Sequence, residues 1–386
     1  MSGGRFPGSR LVWGPLLLLA GCSSGAGVQF PALSDPDWEE LSIQVSEPPG
    51  YFDTDNLISN EAAYQQIIPA LRRLAKPGGA YIGVGPDQNF TYIAQLRPAI
   101  AFIIDIRRDN LLQHLYFKEI FRTAASRVEY LSQLFGKPLA GRSTSSRSPT
   151  AVGLARTFRS LPSDEAFFNH NLERLWSHLR SLYPRLLGEQ DRLVVRNIAR
   201  AFFDENLDLR FRSHGRAPRA YYPTFQDLMT VTDLEGKRHN YLDSEDDYEL
   251  VRRMEVENRI IPVVGDLAGR KALRRIGNYL TRKGLVVSAF YLSNVEFYLF
   301  RNRSFDLFVA NAAQLPIDSG SVFIRTYFNH WRVHPEAVPG FVVTPLLQSI
   351  ERFQEINDER PYLSYWALVS RDYLPSETRL RSLQSR

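Results

Sequence analysis

Five short stretches of the chain are apolar at almost every position: "AYIGVG" (80–85), "AIAFIIDI" (99–106), "RIIPVV" (259–264), "LVVSAFYL" (285–292) and "SVFIRTYF" (321–328), with "YLSYWALV" (362–369) a less uniform sixth. Continuous runs of this length read as strands buried on both faces. The segments between them follow a helical period. Ile67, Ile68, Leu71, Leu74 and Ala75 have that spacing within 55–76, and Gly78-Gly79 stops it. "DQNFTYIAQL" is a short helix, and Leu111, Leu115, Ile120, Leu131 and Leu134 mark a long amphipathic one over 108–135. Further helices are expected from Ser244 and near 269–282, 294–314 and 344–357. Strands alternating with helices predict an α/β fold, a mostly parallel sheet with helices on both faces. The block about 151–243, helix-rich and then irregular after 213, falls between the second and third strands and reads as a helical insertion. "GKPLAGRSTSSRSPT" (136–150) is polar and low in complexity, which predicts a mobile loop.

Residues 1–21 follow a different logic. "MSGGRFPGSR" carries Arg5 and Arg10 and no acid, "LVWGPLLLLA" is mostly apolar, and "LAGC" sets small residues before Cys22. The apolar part is too short for a hydrocarbon core of about 30 Å, which takes about 20 residues. Basic, then apolar, then small is the order of a secretory signal. Leu19, Ala20, Gly21 and Cys22 also resemble the bacterial lipoprotein lipobox position by position. That resemblance implies cleavage before Cys22, diacylation of its thiol and acylation of the new amino terminus. With Ser23 rather than Asp next, it implies sorting to the outer membrane of a bacterial envelope, facing the periplasm. Several acyl chains anchor stably where one is marginal. Residues 22–50, rich in Ser, Pro and Gly, then read as a lipidated Cys with a flexible tether, and 51–386 as the folded domain.

Composition narrows the partners. Cys22 is the only cysteine, so a lipidated mature chain has neither a free thiol nor a disulfide. The formal charge of +5 falls to +3 without Arg5 and Arg10, and the basic residues are interleaved with 42 acids rather than gathered in a stripe. Nucleic acid is not expected as a partner. The expected partners are the membrane, through Cys22, and a small-molecule or protein ligand.

The densest candidate chemistry is in "AYIGVGPDQNFTYIA". Open α/β sheets bind ligands beyond the carboxyl ends of their strands. There Gly83 and Gly85 allow a tight turn and a close approach, and Asp87 and Asn89 open a helix whose unpaired N–H groups face the same way. Asp105 closes the next strand 20 residues after Gly85, where a carboxylate can accept from ribose hydroxyls. With these features the chain resembles S-adenosylmethionine-dependent methyltransferases. More closely, "YIGVGPDQNFTYIA", "IIDIRR", "GDLAG" and "YLSNVE" resemble an uncharacterised bacterial family of Rossmann-like proteins, over about 50–370. The resemblance implies a methyltransferase-like sheet, with Gly83 and Gly85 at a cofactor loop, Asp105 as the ribose acid and S-adenosylmethionine as the cofactor. By position it makes Asp266 a cofactor- or substrate-facing residue. A third loop glycine is missing, and Pro86-Asp87 puts a carboxylate and a lost N–H at the helix entrance. Asn294 and Glu296 are the remaining substrate-facing candidates, although Ser293 and Glu296 also have the spacing of a capping box.

Other motifs explain themselves locally. "VVGDLAGRK" lacks phosphate-loop spacing, and Arg107 and Arg108 suit pairing with acids at a helix start. Ser244 with Asp247 is a helix cap rather than a calcium cluster. His330 and His334 have no third ligand beside them, so no metal is expected. Two functions stay open. One is a lipid-anchored binding or interaction protein that keeps the fold but not methyl transfer. The other is a methyltransferase or other group transferase holding a nucleoside-containing ligand. Export favours the first, because S-adenosylmethionine is made in the cytosol and no twin-arginine signal would carry a loaded protein out.

Overall fold

The computed structural model describes residues 1, 3–4, 30–139 and 149–375. Cys22 and residues 2 and 5–21 of the proposed signal lie outside the described residues, as do 140–148 of the expected mobile loop. The strands are β1 (Ala80–Val84), β2 (Ile100–Asp105), β3 (Ile260–Val264), β4 (Val287–Ser293), β5 (Val322–Phe328) and β6 (Val343–Ser349). They form one six-stranded sheet in the order β3-β2-β1-β4-β5-β6, parallel except for the antiparallel β5–β6 pair at one edge. This is a Rossmann-like α/β fold.

The helices before the insertion are α1 (Asp35–Val45), α2 (Ile68–Leu74), α3 (Gln88–Leu96), α4 (Arg108–Thr123) and α5 (Arg127–Leu134). The insertion supplies α6 (Ala151–Ser160), α7 (Glu165–Leu182), α8 (Asp191–Glu205) and α9 (Phe225–Thr230). Then follow α10 (Glu245–Val256), α11 (Ala272–Arg282), α12 (Val295–Arg301), α13 (Phe305–Ala312), α14 (Ile350–Glu359) and α15 (Tyr365–Ser370).

Strand alternation assigns the layers. Phe102, Ile82, Phe290 and Phe323 are in register across β2, β1, β4 and β5, and the three phenylalanines meet α11 through Tyr279, α13 through Phe308 and α14 through Phe353. Tyr81 and Tyr291 point the other way and meet Tyr92 of α3. The helix α10 packs beside α3 and α4 on that second face. The insertion does not build a body of its own. Phe202 of α8 packs on Phe117 of α4 at 5.7 Å and Phe225 of α9 on Phe135 at 5.5 Å, within one continuous core.

Several expectations are corrected. Residues 35–45, expected within a tether, are the helix α1, and it caps the exposed edge of β3. Trp38 Nε1 donates to Ile260 O (2.9 Å) and Ser42 Oγ to Pro262 O (2.7 Å), and the buried Trp38 ring lies 4.8 Å from Lys118 Nζ. An edge strand offers unpaired carbonyls that something must cover. Pro262, lacking an N–H, is tolerated there for the same reason. The helix expected over 344–357 begins only at Ile350, because Val343–Ser349 pairs with β5 as the sixth strand. Residues 362–369, expected as a strand, contain α15, started by Ser364, whose side chain accepts from Ala367 N–H. The segment 55–76 is helical only from Tyr64. The expected helices over 108–135 and 294–314 are each two, broken at Ala124–Ser126 and at Asn302–Ser304. The cap expected at Ser244 is present, accepting from Asp247 N–H at 3.1 Å.

If α1 is part of the fold, Trp38→Ala should lower the unfolding free energy by about 3–5 kcal/mol.

Candidate functional site

The strand order turns between β1 and β4, so the loops leaving these strands flank the crevice where such sheets take ligands. A strap of the chain itself, residues 47–61, crosses this carboxyl edge. It starts at β3, where the Glu47 N–H donates to Val264 O (2.9 Å). The Glu47 carboxylate accepts from the N–H groups of Asp266 (2.8 Å), Lys271 (3.1 Å) and Ala272 (3.4 Å), filling the anion position at the start of α11. At β2 the Gly50 N–H donates to Ile106 O (2.8 Å), and Arg107 Nη1 donates to the carbonyls of Thr54 (3.1 Å) and Asp55 (2.6 Å). Leu57 O accepts from Gln113 Nε2 of α4 (2.6 Å). The strap ends at β4 and β5, where the buried Glu61 carboxylate accepts from the hydroxyls of Ser293 and Thr326 (2.6 Å for the latter) and from Gln88 Nε2 at 3.3 Å. Burial raises the Glu61 pKa against these neutral donors.

Each expected residue has a definite place beneath or beside the strap. Gly83 is required by packing, since a Cβ there would lie 1.9 Å from Asn89 Oδ1 and 2.6 Å from the Tyr81 hydroxyl. Gly85 turns the chain with φ +80°, and Asn56 of the strap stands 3.1 Å from where its Cβ would be. Asn89 is fully buried. Its amide donates to the carbonyls of Val84 (3.0 Å), Gly85 (3.3 Å) and Pro86 (2.7 Å) and accepts from Tyr81 (2.8 Å), so it staples the loop. Asp87 precedes α3, buried, and desolvation pushes its carboxyl up to about 7 despite bonds from backbone N–H groups and Tyr241. Asp105 accepts from Arg107 on both oxygens, from Nε (3.1 Å) and the backbone N–H (2.9 Å) on Oδ1 and from Nη2 (2.8 Å) on Oδ2.

The substrate-facing candidates disperse. Asp266 Oδ1 accepts from Ala268 N–H (2.9 Å) in its own turn. Asn294 is half-buried at the start of α12 and makes no side-chain cap. Glu296 is fully buried and bridged by Arg325 at 2.7 and 2.9 Å. The expected capping box is therefore corrected: the Ser293 hydroxyl goes to Glu61, and its backbone takes φ +52° as β4 ends. Such a backbone in a non-glycine residue costs energy that surrounding contacts must hold.

Three groups at this edge carry no signal in a single sequence: Glu47, Glu61 and His114. His114 Nε2 lies 2.9 Å from Gly85 O, so Nε2 donates, and burial lowers the imidazole pKa to about 4, keeping the ring neutral. His114 Nδ1, Thr54 Oγ1, Gln88 Oε1 and both polar atoms of the Asn110 amide are buried without a partner. Arg107 and Arg108 pair with acids as their position suggested, Arg108 with Asp191 at 2.7 Å.

A family model described as Domain of unknown function (DUF7790) matches residues 56–183 and 188–379. The chain belongs to this family. The DUF7790 match begins inside the strap and takes in Glu61, the β1 loop, Asp105 and β4 through β6, while α1 and Glu47 precede it. A search of the curated proteins finds none that matches the chain. Among the described residues no helix is long and apolar enough to cross a membrane, and no group of three or more His, Cys, Asp or Glu side chains is arranged to hold a metal ion.

In this arrangement the residues do not fit S-adenosylmethionine. Both oxygens of Asp105, the acid that would hold the ribose, already accept from Arg107. The open side of Gly83 is filled by Asn89 and Tyr81.

Arg107→Ala would strand the Asp105 carboxylate, whose side chain is only 10 % exposed, and should cost about 3–5 kcal/mol in urea unfolding. Arg107→Lys should recover only part of this, since an ammonium cannot bridge both oxygens. Asp87 sets a pH dependence. Its pKa is near the ordinary 3.8 when unfolded and about 7 when folded. From about pH 4 to pH 7 the unfolded chain loses a proton that the folded one keeps, so stability falls as pH rises, at up to about 1.4 kcal/mol per unit. The stability gained by Asp87→Asn over wild type should therefore grow from pH 4 to 7 and level off above. His114 acts oppositely, costing stability as pH falls from 6.5 towards 4, and cancels in that difference.

Proposed function

We propose that the chain is a lipid-anchored protein of the bacterial envelope whose Rossmann-like body works by binding or interaction rather than methyl transfer. The observation that carries this reading is the strap: residues 47–61, with Arg107, engage the groups at the carboxyl edge that a nucleoside cofactor would need. What the edge leaves open is neutral and polar, namely the Asn110 amide, His114 Nδ1, Thr54 Oγ1 and Gln88 Oε1. Those groups suit a small uncharged ligand or ordered waters, because each buried donor or acceptor left alone costs about 1–3 kcal/mol. The anchor belongs to the same reading and rests on Leu19-Ala20-Gly21-Cys22.

A second reading, a group transferase, draws on one feature. Asp87 and Glu61 are buried carboxyls with raised pKa at the turn in strand order, and perturbed carboxyls of this kind gather at active sites. A thermal-shift titration of the purified protein separates the two. A ligand at 100 times its Kd should add about 2.7 kcal/mol. The binding reading expects no movement with S-adenosylmethionine or S-adenosylhomocysteine; a shift that Asp105→Ala abolishes would overturn it. For the anchor, labelled palmitate should enter the wild type in a bacterial host and not the Cys22→Ser variant.

A further inference from the structure

Two loops meet beside the carboxyl edge and leave aromatic side chains in water. The first, residues 209–224, carries Arg210, Arg212, His214, Arg216 and Arg219 and no acid. The second joins β5 to β6 and carries His330, Trp331, Arg332 and Val333, with Glu336 its only acid. The loops touch through Tyr221, whose ring centre lies 5.5 Å from that of His330 and whose hydroxyl is 3.4 Å from Nε2. At the tip Trp331 is 97 % exposed and Val333 71 %, whereas Trp38 and Trp176 are buried in the core.

The charge of this surface is only partly neutralised from within. Arg212 and Arg216 pair with Glu205 and Asp53. Arg210 instead donates to the Tyr222 carbonyl, Arg219 to the Tyr221 hydroxyl, and the Arg332 guanidinium lies 4.2 Å from the centre of the Trp366 ring. None of these three forms an ion pair with a carboxylate among the described residues. Indole prefers the level of lipid headgroups, where its apolar body and N–H are both satisfied, and guanidinium matches phosphate oxygens. An indole this exposed projects outward from its loop.

We propose that the loops 210–222 and 330–333 form a docking surface for a bilayer containing anionic lipid, with Trp331 and Val333 entering the interface and Arg219 and Arg332 meeting lipid phosphates. This goes beyond the proposed anchor and does not depend on it. The docked protein would present the strap-covered side of the sheet towards the membrane.

The emission of Trp331 is isolated as the difference between the wild-type full chain and its Trp331→Ser variant. Vesicles are phosphatidylcholine alone or mixed with phosphatidylglycerol, with brominated acyl chains as quencher. With the anionic mixture the difference spectrum should shift to the blue and be quenched, and with phosphatidylcholine alone it should do neither. Arg219→Ser and Arg332→Ser should each weaken partition by roughly fivefold, and added salt should act in the same direction. Cys22→Ser should leave the spectral shift in place, which separates this surface from the anchor. Thermal unfolding of Trp331→Ser should match wild type, since the side chain packs on little. A Trp331 spectrum unchanged in vesicle-bound protein overturns the proposal, as does failure of the chain to sediment with anionic vesicles. Loss of the shift in Cys22→Ser would tie the contact to the anchor and overturn independent docking. A shift caused by an added protein and not by lipid would assign the surface to a protein and overturn it equally.

Discussion

At the carboxyl edge of a parallel sheet, strand ends and helix starts bring together backbone groups and partial charges that need partners. In many α/β proteins a phosphate or nucleoside supplies them. Here the chain supplies its own. Glu47 takes the N–H groups before α11, the carbonyls of Thr54 and Asp55 take Arg107, and Glu61 takes the hydroxyls of Ser293 and Thr326. The strap thus ties β3, β2, β4 and β5 through polar contacts, and the positions of Arg107, Gln88 and Ser293 follow from what the strap offers them.

The same covering explains the electrostatics beneath it. Asp87, Glu61 and His114 sit away from water, so desolvation moves each towards its neutral form, the carboxyls upward and the imidazole downward. Asp105 beside them is held by Arg107, which donates to both of its oxygens. Buried titratable groups held by hydroxyls and amides, with one bidentate ion pair among them, make a layer whose polar atoms are nearly all engaged. The few that are not, on Asn110, His114, Thr54 and Gln88, narrow the chemistry of whatever completes them.

Much of the architecture was legible along the chain, for a simple reason. A strand buried on both faces is mostly apolar, and β1 to β5 are, apart from a few positions such as Arg325 and Thr326, so their runs stand out against helical spacing. The misreadings fall where that signal is shared. "VTPLLQS" is Leu-rich and borders a helix, so its pairing with β5 was hidden, and "DPDWEELSIQV" has too few apolar positions to announce a helix that covers a strand edge. At the site, Gly83, Gly85, Asp87, Asn89 and Asp105 were visible as a cluster. Their engagement was not, because Arg107 was legible only as a helix-start arginine and Glu61 belongs to a segment with no pattern of its own.

By itself the sequence determined the layered α/β architecture with a glycine turn after its first strand, and it carries the basic, apolar and small run up to Cys22 on which the proposed anchor rests. Period and composition are local properties, and they are enough for that. Only the tertiary structure decided what occupies the carboxyl edge, since the partners there are separated by as many as 265 residues, as Glu61 and Thr326 are. Whether a glycine leaves room for a ligand or for Asn89, and whether an aspartate awaits a ribose or holds an arginine, depends on what the fold brings within 3 Å. No spacing along the chain encodes that distance.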